Sequence, residues 1–457
     1  MKLTEEEKAM LAGEMGAAKQ WALDHQVKVG GMFDAADLVP VSQAHMMADP
    51  ESLGEAGGDF LEDMVAKGAR VAIPMITDPR GVDLNHYRPL GQSEEMATLE
   101  RRMIAACEKM GILMTNTCVN YQTIMPPVLG DHVAYGDTGV VIYSNSICGA
   151  RSNFEGGPSA LVAGLTGRTP RYGLHLDENR QATRRFVVRD QPKELTDWGV
   201  LGALVGKLAG SYWAVPVIEG LEVVPTSDEA KHMGAAMASF GSTPLFHMAG
   251  ITPEAQTLAD VGGDKLPAEE ITKADLDALR AGFGGKGDKI DVVVFAAPQL
   301  SIVEMQDLAA LCAGKSFKTP VIVCTSPQVY PDATRMGLID TIESTGASAV
   351  ISFANGKSVD TGISVPDADK GRKASFGIRP EDLVATKGDD FLFEGTVSIV
   401  EALGEVTLLY VEDLTEDEPI IAKMPGHQQV KRGDRLRFTA DKAKLHLFDA
   451  GGHTYRR

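Results

Sequence analysis

The chain has 457 residues, of which 44% are hydrophobic and 23% are charged, and its formal net charge is −19. These values are typical of a globular protein with two or three domains. The negative charge argues against nonspecific binding to nucleic acid or to an anionic membrane surface. We find neither a leader pattern nor a long apolar segment, so we expect a cytoplasmic protein without membrane insertion.

The first half of the chain alternates helical and strand-like patterns. Thr4 and Glu7 form a capping box, and an apolar face continues to Trp21, which predicts a single first helix. Further helices are predicted over 59–67 and 94–110. Strands are predicted over 70–76, 111–115 and 140–143.

The alternation resumes after Val217 and is typical of an α/β fold. Ser227 caps a helix, and Ser301 with Glu304 forms a second capping box that begins a helix ending at Ala313. The other predicted helices cover 268–281 and 332–343. The predicted strands cover 221–224, 245–249, 290–295, 321–324 and 349–351.

The composition changes after Phe353. Residues 354–373 are rich in Gly, Ser, Asp and Lys and predict a linker, which gives an α/β region over 1–353 and a second domain over 374–457. The second domain has short strand patterns at 395–400, 406–411, 420–424, 435–439 and 445–448, which predict a small β-barrel.

The stretch from Gly149 to Arg180 has the strongest functional pattern. Gly156 and Gly157 form a turn after the predicted strand, and Pro158 begins a helix that ends at Gly167. Backbone N–H groups at such a helix start bind anions. A tight turn with solvated charges explains the pattern equally well. The nearby charges are Arg151, Glu155 and Arg168.

These segments resemble the aconitase X large-subunit family, in the form whose members carry EGGPSA and TGRTP-YG-H-ENR. Both motifs lie between Glu155 and Arg180, and the resemblance runs from about the N-terminus to Ile351. It implies a multi-layer α/β catalytic region. Other matching segments are VSQAH (41–45), GEAGGDFLEDM (54–64), TNTC (115–118), LFHMAGITPEA (245–255) and CTSPQVY (324–330).

The C-terminal region is similar to the TOBE domain of sugar-type ABC-transporter ATPases, which implies a small all-β TOBE/OB-like barrel. The matching segments are GIRPEDL (377–383), EALGEVTLLYV (401–411) and LHLFDAGG (445–452). The chain has no phosphate-binding loop, because Gly314-Lys315-Ser316 and Gly356-Lys357-Ser358 lack the preceding glycine. The tail is therefore predicted to be a regulatory or structural module, or the remnant of a gene fusion, and ABC-transporter components are candidate partners.

Members of the aconitase X family look like hydro-lyases that use an iron–sulfur cluster held by thiolates. Cys118 falls on the first cluster cysteine. The second cysteine motif corresponds to 296–299, Ala-Ala-Pro-Gln, and the third, expected just after Ile351, is missing. Cys148 and Cys324 are either substitute ligands or core residues. The resemblance therefore implies a cluster that binds weakly or not at all in this chain.

The resemblance also places substrate contacts. They correspond to Ala48-Asp49, Asp78-Pro79 and Asp137-Thr138, to which the glycine turn adds Arg151, Gly156, Gly157 and Arg168. Asp78 replaces an amide of the family, which disfavours a phosphate and tolerates an ammonium group. This favours cis-3-hydroxy-L-proline, dehydrated to 1-pyrroline-2-carboxylate, over mevalonate 5-phosphate.

Three histidines, His45, His175 and His247, lie in these motifs and either orient substrate or are hydrogen-bonded core residues. No catalytic residue is assigned. We expect a dehydratase large subunit for a small hydroxy acid, which needs a separate small swivelling subunit. The alternative is a non-catalytic protein that binds a small acid and engages transporter components through its tail.

Overall fold

The computed structural model divides the chain into two compact units, Met1–Val82 with Gly91–Ala349, and Asp83–Leu90 with Val350–Arg457. The predicted linker, 354–373, lies outside the described residues. The structure describes residues 1–84, 87, 90–285, 287, 289–344, 348–349, 375–387, 391, 393–402, 406–412, 419–426, 429–440, 446–448 and 454–455.

The first unit begins with a region of helices and short strands. Its helices are α1 (Glu5–Leu11), α2 (Ala17–Met32), α3 (Pro50–Ala66), α4 (Glu94–Met110), α5 (Asn120–Thr123), α6 (Thr138–Tyr143) and α7 (Gly157–Thr166). Its strands are β1 (Leu38–Pro40), β2 (Ala44–Met46), β3 (Met75–Thr77), β4 (Ala134–Tyr135) and β5 (Arg168–Pro170).

The same unit continues with alternating strands and helices. The strands are β6 (Arg184–Val188), β7 (Pro216–Glu219), β8 (His247–Met248), β9 (Ala268–Ile271), β10 (Val293–Leu300), β11 (Val321–Thr325) and β12 (Ser348–Ala349). The helices are α8 (Leu195–Ala209), α9 (Ser227–Gly241), α10 (Lys273–Ala281), α11 (Ile302–Cys312), α12 (Tyr330–Arg335) and α13 (Leu338–Glu343). In the part of the chain that the structure describes, no helix is both long and apolar enough to cross a bilayer.

Parallel sheets organise this unit, which confirms the predicted α/β class. The strand orders are β3-β2-β4, β8-β7-β6-β9 and β10-β11-β12, and β1 pairs antiparallel with β5. Helices pack on the first two sheets through apolar cores. The first core includes Met46, Leu61, Met75, Met103 and Leu161. The second includes Phe186, Trp198, Ile218, Met233 and Phe246.

The first predicted helix is two helices. The capping box of Thr4 and Glu7 is confirmed at the start of α1. Gly13 and Gly16 then adopt φ values of 84° and 96°, which are outside the helical region, so the chain turns before α2 begins.

The apolar run Val140–Tyr143 was predicted as a strand, and this is wrong: it forms α6 and continues as a π-helix over Ser144–Cys148. All four residues are buried. A segment that is buried on every side has no apolar period to distinguish helix from strand. The aspartate before it decides the outcome, because Asp137 caps the first turn of the helix.

Other expectations also fail for local reasons. Thr226, and not Ser227, is the N-cap of α9. The strand expected over 70–76 begins only at Met75, as β3. Residues 111–115 form no strand, although Leu113 makes an isolated bridge with Ile76. The strand expected over 221–224 lies earlier, at β7. Residues 268–271 form β9 before Thr272 caps α10. Gly337, at φ 73°, separates α12 from α13.

Helices α8 and α9 pack unusually closely through glycines. A Cβ atom built on Gly202 would lie 2.1 Å from the carbonyl oxygen of Met233, and one on Gly206 would lie 2.2 Å from that of Met237. These are backbone atoms, which cannot move aside as a flexible side chain can. Glycine is therefore required at both positions for this helix pair.

The second unit contains β13 (Ser375–Gly377), β14 (Val384–Thr386), β15 (Phe393–Ala402), β16 (Val406–Glu412), β17 (Ile420–Pro425), β18 (Arg435–Thr439), β19 (His446–Phe448) and β20 (Thr454–Tyr455). Antiparallel pairing gives the orders β14-β18-β15-β16-β17 and β13-β19-β20. The larger sheet encloses a core that includes Val397, Leu409, Val411, Ala422 and Phe438. This confirms the predicted β-rich, TOBE/OB-like domain.

Candidate active site

Three parallel strands end side by side at one edge of the first sheet. β2 pairs with both β3 and β4, so that His45 lies opposite Ile76 and Tyr135. In open α/β sheets, ligands bind outside the carboxyl ends of the strands. This edge brings together the three predicted substrate positions, Ala48-Asp49, Asp78-Pro79 and Asp137-Thr138.

Asp49 and Asp137 are helix N-caps at this edge. Asp49 Oδ1 accepts hydrogen bonds from the backbone N–H groups of Glu51 and Ser52, both at 2.9 Å, at the start of α3. Asp137 Oδ2 accepts one from the N–H of Val140 at 2.8 Å, and burial raises the pKa of Asp137. These hydrogen bonds hold both carboxyl groups in place beside the site.

Asp78 is the carboxyl group at this edge that the backbone does not hold. Its Oδ1 has no hydrogen-bond partner among the described residues, although its side chain is only 11% exposed. Burial, followed by the negative charges of Asp137 and Asp49, raises the pKa of Asp78 well above its ordinary value. The protonated acid is therefore favoured at this position.

His45 lies beside Asp78 and is fully buried, with 3.6 Å between His45 Nε2 and Asp78 Oδ1. Nε2 also lies 3.0 Å from the carbonyl oxygen of Thr117. Because a carbonyl oxygen only accepts hydrogen bonds, Nε2 carries the hydrogen and Nδ1 the lone pair. Nδ1 has no partner in the described part of the chain, and burial lowers the pKa of His45. The side chain is thus a neutral imidazole with an unpaired basic nitrogen.

Cys118 and Gln299 pair reciprocally near this edge. The backbone N–H of Gln299 donates to Cys118 Sγ, and the backbone N–H of Cys118 donates to Gln299 Oε1, both at 3.3 Å. Gln299 Nε2 donates to the carbonyl oxygen of Asn116 at 3.2 Å. Burial raises the pKa of the Cys118 thiol, so the neutral thiol is favoured.

Lys231 binds the backbone of Gln299. Its side chain is completely buried, and Nζ donates to the carbonyl oxygen of Gln299 at 3.2 Å. Nζ also contacts Glu304 and lies 3.3 Å from Asp228 Oδ1. Burial alone would raise the pKa of Glu304, but the hydrogen bond from His232 and the charge of Lys231 bring it down to about 2. A buried ion-pair network therefore fixes the end of β10.

The glycine turn lies against the segment that follows β2. A Cβ atom on Gly157 would lie 3.0 Å from the carbonyl oxygen of Met47 and 2.7 Å from Leu53 Cδ2. Gly156 is the N-cap of α7 and provides no side-chain hydrogen bond. The first backbone N–H groups of α7 therefore have no side-chain cap at Gly156, and the turn lies in space beside Met47, the residue before Ala48.

Neither predicted arginine lies at the strand edge. Arg168 forms ion pairs with Glu6, at 2.6 Å, and Glu7, at 3.0 Å, both in α1. Arg151 pairs with Asp177, and its backbone lies level with His132, before β4 begins, whereas Asp137 follows the end of β4. Both charges are thus neutralised away from Asp78.

His175 and His247 each have one ring nitrogen in a polar contact. His175 Nδ1 lies 2.9 Å from His132 Nδ1, and His247 Nε2 lies 2.8 Å from the carbonyl oxygen of Arg180. Both side chains are buried. Each keeps one ring nitrogen without a hydrogen-bond partner among the described residues, as His45 does, so what distinguishes His45 is its position in β2 at the strand edge.

The donor set does not fit an iron–sulfur cluster. No group of three or more His, Cys, Asp or Glu side chains among the described residues is arranged to hold a metal ion. The position of the second family cysteine, Ala297, has no thiol, and the sequence has no cysteine after Cys324. Cys148 packs among aromatic and aliphatic residues. A cluster requires several thiolates, and Cys118 supplies one buried thiol.

Three family models match consecutive parts of the first unit: the aconitase X first domain over 1–178, its second domain over 182–281 and its third domain over 290–353. The phosphomevalonate dehydratase large subunit of Methanothermobacter thermautotrophicus is 36% identical over 75% of this chain and 85% of its own length. The chain belongs to the aconitase X family.

Other similarities refine this assignment. The crystal structure of aconitase X (holo-form) from Thermococcus kodakaraensis has a TM-score of 0.70 and 36% identity, over 76% of this chain and 87% of that one. The cis-3-hydroxy-L-proline dehydratase of Pseudomonas aeruginosa is 31% identical over 75% of this chain, which spans 60% of that protein.

The region that follows the aconitase X match also resembles a known domain. A TOBE domain model matches residues 376–448. The alpha-glucoside transport ATP-binding protein AglK of Rhizobium meliloti is 65% identical over 116 residues, which are 25% of this chain and 32% of that protein. The predicted resemblance to transporter TOBE domains is confirmed.

The role of Lys231 was not predicted from the sequence. Helical spacing places Lys231 on the same face of α9 as Gly234 and Ala238, a face that is otherwise apolar. A lysine on an otherwise apolar helix face indicates a buried cation, and this pattern could have revealed it. The N-cap roles of Asp49 and Asp137 were not predicted either, because no helix was expected to begin at Pro50 or at Thr138, where α3 and α6 begin.

Proposed function

We propose that this chain is the large subunit of a cytoplasmic hydro-lyase that dehydrates a small hydroxy acid at the carboxyl edge of β3-β2-β4. One observation carries the proposal: a buried, unpartnered carboxyl group, Asp78, lies beside a neutral histidine with an unpaired nitrogen, His45. An elimination requires one group that accepts a proton and one that donates a proton.

In this proposal His45 Nδ1 accepts the proton from the carbon next to the substrate carboxylate. The electron pair of that C–H bond forms the new double bond as the C–O bond breaks. Protonated Asp78 donates its proton to the departing hydroxyl, which leaves as water. The raised pKa of Asp78 and the lowered pKa of His45 support these roles, because they favour the starting protonation states.

The substrate that we favour is cis-3-hydroxy-L-proline. Elimination first gives the enamine, and a proton then moves from the ring nitrogen to the carbon that lost the hydroxyl, which gives 1-pyrroline-2-carboxylate as the product. The substrate's carboxylate fits the start of α7, where Gly156 leaves the N–H groups without a side-chain cap. Its ammonium group fits the acidic surroundings of Asp49 and Asp137. The same carboxyl groups disfavour the phosphate of mevalonate 5-phosphate, and neither Arg151 nor Arg168 is available to offset them.

Relatives named as large subunits support a separate small subunit that completes the site. The TOBE-like tail supports an additional association with ABC-transporter components. The incomplete thiol set favours a second candidate function, in which the protein binds a small acid without turnover and engages a transporter through this tail.

The decisive experiment combines binding and turnover. Isothermal titration of the isolated chain should detect cis-3-hydroxy-L-proline, and the isolated chain should turn it over little or not at all. Addition of the small subunit should give formation of 1-pyrroline-2-carboxylate. Asp78→Asn should retain binding and lose at least a hundredfold in turnover, the usual contribution of general acid–base catalysis. Binding without turnover in the presence of the small subunit would favour the second candidate.

A further inference from the structure

The third sheet leaves a cavity of about 410 Å³ between β10, β11 and the C-terminal half of α11. Val293 and Phe295 line it from one face of β10, as the two-residue period of a strand requires. Leu308 and Leu311 line it from α11, and Phe317 closes one side. The walls are almost entirely apolar, and the size is that of a small-molecule site.

These apolar walls are open to water. Leu311 is 65% exposed, and Phe295 and Phe317 are each 39% exposed. A single exposed apolar side chain is ordinary on a protein surface, but several that line one concave space indicate a binding site. The cavity lies on the α11 side of β10, away from the strand edge that holds Asp78.

Two lysines belong to the same cavity. Lys315 and Lys318 follow α11 after Gly314, whose φ of 70° turns the chain back beside the end of the helix. Neither lysine forms an ion pair with a described residue, whereas many surface lysines of this chain do. The chain as a whole has a net charge of −19. Two lysines without described ion-pair partners beside an apolar space therefore make this part of the surface locally positive.

We propose that this cavity binds a medium-chain amphipathic anion, with its alkyl chain between β10 and α11 and its carboxylate or phosphate headgroup between Lys315 and Lys318. Apolar walls select the chain, and the two ammonium groups select the sign of the headgroup. A cationic or neutral headgroup makes no such contact. Neither the dehydratase site nor the TOBE-like domain is required for this binding.

Calorimetric titration of the full chain with octanoate, decanoate and dodecanoate tests the chain-length requirement. Each buried methylene should tighten binding about fourfold until the cavity is filled. Decyl phosphate binding identifies whether phosphate replaces carboxylate, and either anion supports the proposal. Decylammonium should bind at least tenfold more weakly than decanoate. Equal affinity for the two charge types would overturn the proposal.

Two variants separate the site from nonspecific effects. The double substitution Lys315→Glu with Lys318→Glu should weaken decanoate binding at least tenfold without changing the melting temperature. Lys193→Glu with Lys207→Glu makes the same charge change at exposed positions elsewhere and should leave binding unchanged. If both double variants lose affinity equally, or if dimerisation of the chain excludes decanoate from this face, the proposal is wrong.

Discussion

Two reciprocal hydrogen bonds join Cys118 and Gln299: the backbone N–H of Gln299 donates to Cys118 Sγ, and the backbone N–H of Cys118 donates to the side-chain oxygen of Gln299, both at 3.3 Å. This pairing uses the sulfur that a cluster would need, and no described group of donors completes a metal site. The position that corresponds to the second family cysteine is Ala297, two residues before Gln299. Near the strand edge, the Cys118 thiol is therefore engaged in a contact with an amide and is not a free ligand.

Anaerobic reconstitution with iron and sulfide should accordingly leave the chain with substoichiometric iron. A single buried thiol cannot replace the several thiolates that clusters use, and hydrogen bonds around it do not compensate. Iron analysis and visible absorbance, compared with Cys118→Ser, check this. Turnover with the small subunit should also survive Cys118→Ser. A cluster spectrum that disappears in Cys118→Ser would contradict this interpretation.

Substitution of Lys231 by methionine should destabilise the first unit by about 3–5 kcal/mol, because it leaves the buried carboxyl group of Glu304 with only the contact to His232 and takes the lysine from Asp228. Urea denaturation at neutral pH measures the change. Lys207→Met in α8 removes an exposed lysine and serves as the control, with an expected change within about 0.5 kcal/mol. Equal stability of the two variants would show that the buried network contributes little.

Gly206→Ala should destabilise the chain by about 1–3 kcal/mol, since the new methyl group meets the backbone of α9 at Met237. Gly199→Ala in the same helix is the matched control. A Cβ atom there meets nothing within 4 Å, so the better helix propensity of alanine should stabilise by up to about 1 kcal/mol. Thermal unfolding of both variants should therefore shift in opposite directions.

The sequence predicted those features that depend on neighbouring residues. The capping boxes at Thr4 and at Ser301 are local patterns, and both are present. Val140–Tyr143 was misassigned because complete burial removes the periodicity that separates helix from strand. At the site, the sequence placed Asp49, Asp78 and Asp137 on one edge only through resemblance. Their different roles depend on hydrogen bonds, and the contact of Lys231 with Gln299 joins segments far apart in the chain.

Glu100 should make the stability of the first unit depend on pH. Its side chain in α4 is 1% exposed, and burial raises its pKa from 4.5 to about 7. The folded state therefore binds a proton more tightly than the unfolded state does, so stability should fall as the pH rises from about 4.5 through about 7. The full shift corresponds to about 3 kcal/mol, and we expect about 2 kcal/mol after solvent screening.

Glu100→Gln isolates this effect, because an amide oxygen can still accept the hydrogen bond that Glu100 Oε2 accepts from the N–H of Val82 at 3.2 Å. The difference in unfolding free energy between the variant and the parent chain should shift by about 2 kcal/mol in favour of the variant between pH 4.5 and pH 8. Glu108→Gln, on the exposed side of the same helix, should show no such pH-dependent difference. Denaturant titrations at the two pH values measure this difference. A constant offset between Glu100→Gln and the parent chain would show that folding does not raise the pKa of Glu100.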